Sequence, residues 1–145
     1  MKLISHRGNT VSCKKKYENH PEYIMEAYSL GFDVEIDVWN INGEFYLGHN
    51  EPQYKTDWEF ITNSSFWCHA KNFEALLSMR KCGANCFWHE KDSYTLTSNG
   101  YIWTYPNKLT SPESIIVCKN QQTTIELYNA KNVYGICSDF VGVLK

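Results

Sequence analysis

The stretch Phe32-Asp33-Val34-Glu35-Ile36-Asp37-Val38, running on through Asn42-Gly43 to Leu47-Gly48-His49-Asn50, decides how this chain is read. It opens in strict alternation. Phe32, Val34, Ile36 and Val38 fall on one face of a strand, and Asp33, Glu35 and Asp37 on the other. An apolar face implies a half-buried strand. Three carboxylates in a row on the opposite face repel one another, and burying any of them unpaired is costly. Acidic strand faces are usually solvated. The alternative is a divalent cation, the simplest partner that turns this repulsion into attraction. Two residues apart, Glu35 and Asp37 carry carboxylates on one side, about 7 Å apart along the strand. Asn42-Gly43 is a hairpin turn signal. It folds Glu44 to Leu47 back and carries His49 toward the acidic end.

Length and composition bound the rest. A chain of 145 residues reads as a single domain, 1–145, with room for a sizeable core. The net charge of −2 leaves no electrostatic footprint for nucleic acid, and Lys14-Lys15-Lys16 reads as a solvated loop. No apolar run approaches the ~20 residues of a membrane span. The apolar stretch at Met1 to Ser5 is too short for a signal peptide, so the expectation is a soluble, cytoplasmic protein. Of the six cysteines, most lie in apolar runs such as Phe66-Trp67-Cys68, with no Cys-x-x-Cys pair; they are expected to be free, structural thiols.

Taken in order, the chain alternates strands and helices. Strands are expected at Leu3–Ser5, Phe32–Val38, Phe66–Ala70, Cys86–His89, Tyr101–Tyr105, Ile115–Cys118 and Tyr134–Cys137. Helices are expected at Glu22–Leu30, Asp57–Thr62, Phe73–Lys81 and Thr124–Ala130, and Ser93–Asn99 reads as a brief helical or looped connection. This rhythm predicts an α/β fold with a parallel sheet. An eight-stranded barrel takes ~250 residues. The expectation here is therefore a reduced TIM-barrel-like (β/α) fold with about seven parallel strands. Sites in such folds lie at the C-terminal strand ends. His6 and Arg7, Glu35 and Asp37, His69 and Lys71, His89 and Glu90, Trp103 and Tyr105, Lys119 and Asp139 all fall there.

These residues resemble the glycerophosphodiester phosphodiesterases, part of a wider group of phospholipase C-like barrel phosphodiesterases of lipid metabolism. His6-Arg7-Gly8 looks like the family's opening His-Arg-Gly. Glu18-Asn19 looks like the end of its Pro-Glu-Asn, with Tyr17 in place of proline. Glu35-Ile36-Asp37 looks like its metal-binding Glu-x-Asp, and His49-Asn50 like its His-Asp, with Asn50 replacing aspartate. Gly135-Ile136-Cys137-Ser138-Asp139 looks like its last strand. The likeness covers the first fifty residues and the last dozen; the middle matches loosely. Where the family carries Glu-x-Lys on its third strand, this chain has His69-Ala70-Lys71.

The resemblance implies a metal-dependent phosphoric diester hydrolase. His6 and His49 would be its acid and base, and Arg7 and Lys71 its phosphate contacts. Trp103, with Tyr105, would wall the head group. Glu35, Asp37 and His69 would hold the metal. Mg²⁺ or Ca²⁺ is implied by the family; Mn²⁺ or Zn²⁺ suits an imidazole ligand better if His69 binds. If His69 does not bind, Glu90 can supply the missing oxygen. The implied partner is a small-molecule phosphodiester. The alternative is a catalytically weak or inactive binding module of the same fold, a consequence of Asn50, His69 and the shortened middle.

Overall fold

The computed structural model describes all 145 residues. The chain folds into one curled sheet of ten strands with four α-helices. β1 is Lys2–His6. α1, Pro21–Ser29, begins with proline in its first turn, where the missing N–H costs nothing, and with the His20 ring accepting from Glu22 N. β2 is Asp33–Ile41 and β3 is Glu44–Leu47. Between them Asn42 and Gly43 both take positive φ (52° and 87°), as the tightest hairpin turn requires. β4 (Tyr54–Thr56) extends this antiparallel arm. α2 (Trp58–Ile61) is capped by Asp57, and β5 is Phe66–Ala70. α3 (Phe73–Cys82) is capped by Asn72 and ended by Gly83 at φ +79°. β6 (Cys86–Trp88), β7 (Tyr94–Leu96), β8 (Ile102–Thr104) and β9 (Ser114–Cys118) follow. α4 (Gln121–Ala130), β10 (Gly135–Ser138) and a 3-10 turn at Val141–Leu144 complete the chain.

β1 lies between β2 and β10, parallel to both. β10 pairs with β9 and β9 with β8, again parallel. β2 is long enough to use both edges: β5 pairs along one, while β1 and then β3 share the other. β6 joins β5, and β7 returns antiparallel on β8. No helix is long and apolar enough to cross a membrane.

The expected reduced TIM-barrel-like fold with about seven parallel strands is wrong. Ten strands form the sheet, three of its pairings are antiparallel, and it does not close, since β6 and β7 are not paired. The cause lies in the connections. A (β/α)₈ barrel gives every strand a crossover helix. This chain has four helices, and it joins β2 to β3, β3 to β4 and β7 to β8 by short links that can only return antiparallel. β7 lies within Ser93–Asn99, read from sequence as a helical or looped connection; three residues are too few for a period to separate a strand from these. The open seam is pinned rather than paired. Ser98 N donates to the Cys86 carbonyl at 2.8 Å, Ser98 Oγ accepts from Cys86 N at 2.9 Å, and Thr95 Oγ1 donates to the Trp88 carbonyl at 2.7 Å.

The sheet separates two apolar bodies. Val34, Ile36 and Val38 face the helices with Ile24, Phe66, Cys68 and Met79. Trp67, Phe87, Trp103, Ile115 and Val117 fill the inside of the curl. Asp33, Glu35 and Asp37 therefore point into that inner space, and none of them is solvated: they are 8%, 2% and 0% exposed.

A buried carboxylate–histidine site at the C-terminal strand ends

The inner floor explains the electrostatics. The His69 ring stacks on Phe87 at 5.1 Å, and Phe87 stacks on Trp103 at 4.4 Å. This aromatic slab excludes water from below. Burial, followed by the neighbouring Asp37, pushes the Glu35 carboxyl up to about 8. Burial works on Asp37 in the same direction. The hydrogen bond from His49 and the Arg7 charge are among the influences that outweigh it and hold Asp37 well below the usual carboxylate range.

Each oxygen of Asp37 has its own surroundings. Oδ2 accepts from Asn19 Nδ2 at 2.9 Å, lies 2.8 Å from Arg7 Nε and 3.2 Å from His49 Nδ1. The Arg7 contact is ionic; its angle is too bent for a hydrogen bond. Oδ1 faces His69 Nδ1 at 3.2 Å and Lys71 Nζ at 3.6 Å. His69 Nδ1 is also 3.8 Å from Glu35 Oε1. The other ring nitrogen, Nε2, lies 3.0 Å from the His89 carbonyl. A carbonyl only accepts, so Nε2 carries the proton and Nδ1 of the neutral ring is a lone pair. That lone pair points at two carboxylate oxygens. A cation among the three atoms, a second proton on the ring, or the proton that burial keeps on Glu35 relieves the repulsion.

The donor atoms of Glu35, Asp37 and His69 lie within 4.8 Å of one another. Glu35 Oε2 and Asp37 Oδ1 are buried without a hydrogen-bond partner. Two carboxylates and a neutral imidazole fit a divalent ion of the zinc or manganese type. Glu90 is not part of this group; it is exposed on the cavity wall, and the three donors converge without it.

His6 stands beside the trio. Its Nδ1 is 2.8 Å from Asp139 Oδ1 and its Nε2 is 4.0 Å from Glu35 Oε2. The carboxylate keeps the proton on Nδ1 and leaves Nε2 free toward the cavity. Burial works to raise Asp139, but the His6 hydrogen bond and charge, with help from Asn9 and Arg7, hold it below its ordinary value. Arg7 takes a positive φ of 57°, which turns its side chain back into the site, where Glu18 Oε2 accepts from Nη1 at 3.1 Å. A Cβ on the following Gly8 would stand 2.6 Å from the Tyr23 ring, so only glycine fits this turn.

Two cavities meet here. The first, about 400 Å³, is lined by Trp88, His89, Trp103 and Tyr105. The second, about 590 Å³, is lined by Glu18, Asn50, Glu51 and Gln53. His6, Arg7, His49 and Lys119 border both. Of the residues named from sequence, His6, Arg7, Glu35, Asp37, His49, His69 and Lys71 come together. Trp103 contributes differently from the wall expected of it: it is 4% exposed and forms part of the floor, while Tyr105 is the exposed aromatic.

Sequence reasoning missed Asn9 and the role of Asn19. Asn9 Nδ2 donates to both Glu18 and Asp139, and its Oδ1 accepts from Lys14 N and Tyr23 Oη. Asn19 closes a ring with Asp37, its Oδ1 accepting from Asp37 N and its Nδ2 donating to Oδ2. Asn9 lies next to the His-Arg-Gly triplet, but a lone asparagine in a polar loop gives no signal of its own. The cysteines are all free; four are buried, and Cys13 is exposed beside Glu18. No family model, curated protein or solved structure matches the chain.

Proposed function

We propose that this protein is a metal-dependent phosphodiesterase of the glycerophosphodiesterase-like kind, acting on a small phosphodiester. The observation that carries the reading is the His69 Nδ1 lone pair facing Asp37 and Glu35, with cationic Arg7 and Lys71 alongside. Glu35, Asp37 and His69 would hold the ion. When bound, it supplies neutralising charge to the phosphate oxygens and to the attacking oxygen.

The remaining chemistry belongs to the chain. Arg7 is kept protonated: burial opposes its charge, but Asp37, Glu35 and Glu18 outweigh burial. Its guanidinium can grip two non-bridging oxygens, and Lys71 a third contact. His6, oriented by Asp139, and His49, oriented by Asp37, each offer Nε2 to a proton in flight. In the first half-reaction a neighbouring substrate hydroxyl forms a bond to phosphorus and gives its proton to one histidine. The bond to the departing alcohol breaks, and that oxygen takes a proton from the other. In the second half water attacks the cyclic diester, the histidines exchange roles, and the ring-opening oxygen is protonated. Both histidines end as they began.

Metal content and phosphodiesterase activity, measured on the same preparation of wild type and Glu35→Ala, test this reading. Both should vanish together in the variant. Activity on no glycerophosphodiester or aryl phosphodiester, with Mg²⁺, Ca²⁺, Mn²⁺ and Zn²⁺ each supplied, would defeat it.

One observation favours a second reading. Lys71 and Arg7 already bring positive charge to Asp37 from within the chain. A binding module that holds a phosphodiester without turning it over needs no more than that. It would bind the diester tightly, and His6→Ala would leave that binding intact.

A further inference from the structure

We propose that Lys119 is a further substrate-binding residue: its ammonium pairs with the anionic phosphate oxygens at the junction of the two cavities. The inference rests on the phosphodiester reading above and adds the residue that matches the diester's charge. Lys119 directly follows β9, whose Cys118 lies opposite Ser138 of the parallel β10. It therefore leaves the sheet level with Asp139, the partner of His6. With His6, Arg7 and His49 it borders both cavities.

The other cations of the centre are already matched. Arg7 is held between Asp37 and Glu18, and Lys71 faces Asp37. Asp139 is taken up by His6 and Asn9. Glu18, Glu35, Asp37 and Asp139 are together balanced by Arg7, Lys71 and a divalent ion. Lys119 makes no ion pair within the chain. Lys15 and Glu51 line only the second cavity and Glu90 only the first, so none of these stands at the junction. The single negative charge of a phosphodiester is left for Lys119.

The helix that follows adds a cost. Asn120, the next residue, caps the ten-residue α4. A cation at this end of a helix is unfavourable, because the aligned peptide dipoles make the end positive. Lys119 sits there with no carboxylate to offset the repulsion. An anion at the junction relieves it. A lysine placed for stability would stand at the other end of the helix.

Diethyl phosphate, an anion, and triethyl phosphate, its neutral triester, test the inference. Neither carries a neighbouring hydroxyl, so neither can cyclise. Their affinities are compared by NMR titration in a Zn²⁺-containing buffer for wild type, Lys119→Gln, Lys119→Arg and Lys15→Gln. Lys119 is exposed, so its substitution leaves the core untouched. Lys119→Gln should weaken the diester about tenfold, the size of one charged hydrogen bond, and leave the triester unchanged. Lys119→Arg should keep most of the affinity. Lys15→Gln removes the same charge from the second cavity alone and should change little. Melting of the ligand-free proteins separates binding from packing: Lys119→Gln should raise Tm by about 1–3 °C, as the helix end loses a misplaced charge. Equal losses of diester affinity in Lys119→Gln and Lys15→Gln, an unchanged affinity in Lys119→Gln, or a lowered Tm would each overturn the assignment of Lys119 and leave the phosphodiester reading standing. If wild type binds the diester no better than the triester, or binds neither, both fall.

Discussion

His69 turns Nδ1 to within 3.2 Å of Asp37 Oδ1 while the carbonyl of His89 holds its Nε2. The tautomer is thus fixed by a main-chain atom from the next strand end, and the ligand offered is an imidazole. This predicts metal choice. In competition, wild type should take Zn²⁺ or Mn²⁺ ahead of Mg²⁺, and His69→Glu should move the preference toward Mg²⁺ or Ca²⁺. Equilibrium dialysis with elemental analysis reads the ratios. The same ratios in both proteins would remove His69 from the ligand set.

The buried Glu35 gives the metal-free protein an unusual pH dependence. Its carboxyl sits at about 8 in the fold against an ordinary 4.5. Between those values the unfolded chain has lost a proton that the folded chain still holds. Stability should therefore fall as pH rises through this interval and level off above it. Urea midpoints in a chelating buffer between about pH 5 and pH 9 should trace that fall, and Glu35→Gln should flatten it. Asp37, held low, contributes the opposite slope at acidic pH only, outside this window. A wild-type profile as flat as that of Glu35→Gln would contradict the burial argument.

Asp139 reaches His6 from just past the last strand, 133 residues away in sequence. With asparagine in its place, the ring loses the charge that keeps its proton on Nδ1. His6→Gln should lower turnover about 10²–10⁴-fold. Asp139→Asn should lower it less, with the loss falling on kcat rather than on KM, since the ring is no longer held in place. An unchanged kcat would assign Asp139 a packing role.

Asn19 is fully buried and sits at φ +62°. Asn19→Ala strips Asp37 of two partners, one on its N–H and one on its carboxylate. The expected cost is about 1–3 kcal/mol, mostly the unsatisfied groups left behind. Urea denaturation at neutral pH measures it; a change below about 0.5 kcal/mol would mean that the loop relaxes to repair the loss.

The acidic strand was legible because its alternation is local: every second residue from Phe32 to Val38 declares its face. The hairpin after it was legible because Asn42-Gly43 has few other uses. The convergence of His6, Glu35, Asp37 and His69 followed from placing each at a strand end, a rule of parallel packing that holds in this sheet although the barrel does not. The openness of the sheet was not legible. Whether β6 closes on its neighbour depends on a missing crossover, and missing connections leave no residue pattern. β7 is three residues long, below the length at which a period can be counted. Trp103 looked like a wall because it ends a strand; its burial depends on Phe87 and Trp67, which come from other strands.

The pairing of β2 with β5 sets Asp37 opposite His69. A slip of one residue would bring Cys68 or Ala70 to that place and turn the imidazole to the helix side. Few alternative pairings could reassemble the three donors. If the proposed ion binds there, the site would serve as a proofreading mark on the sheet: only a chain with its register right could capture it, and capture would penalise every misaligned form.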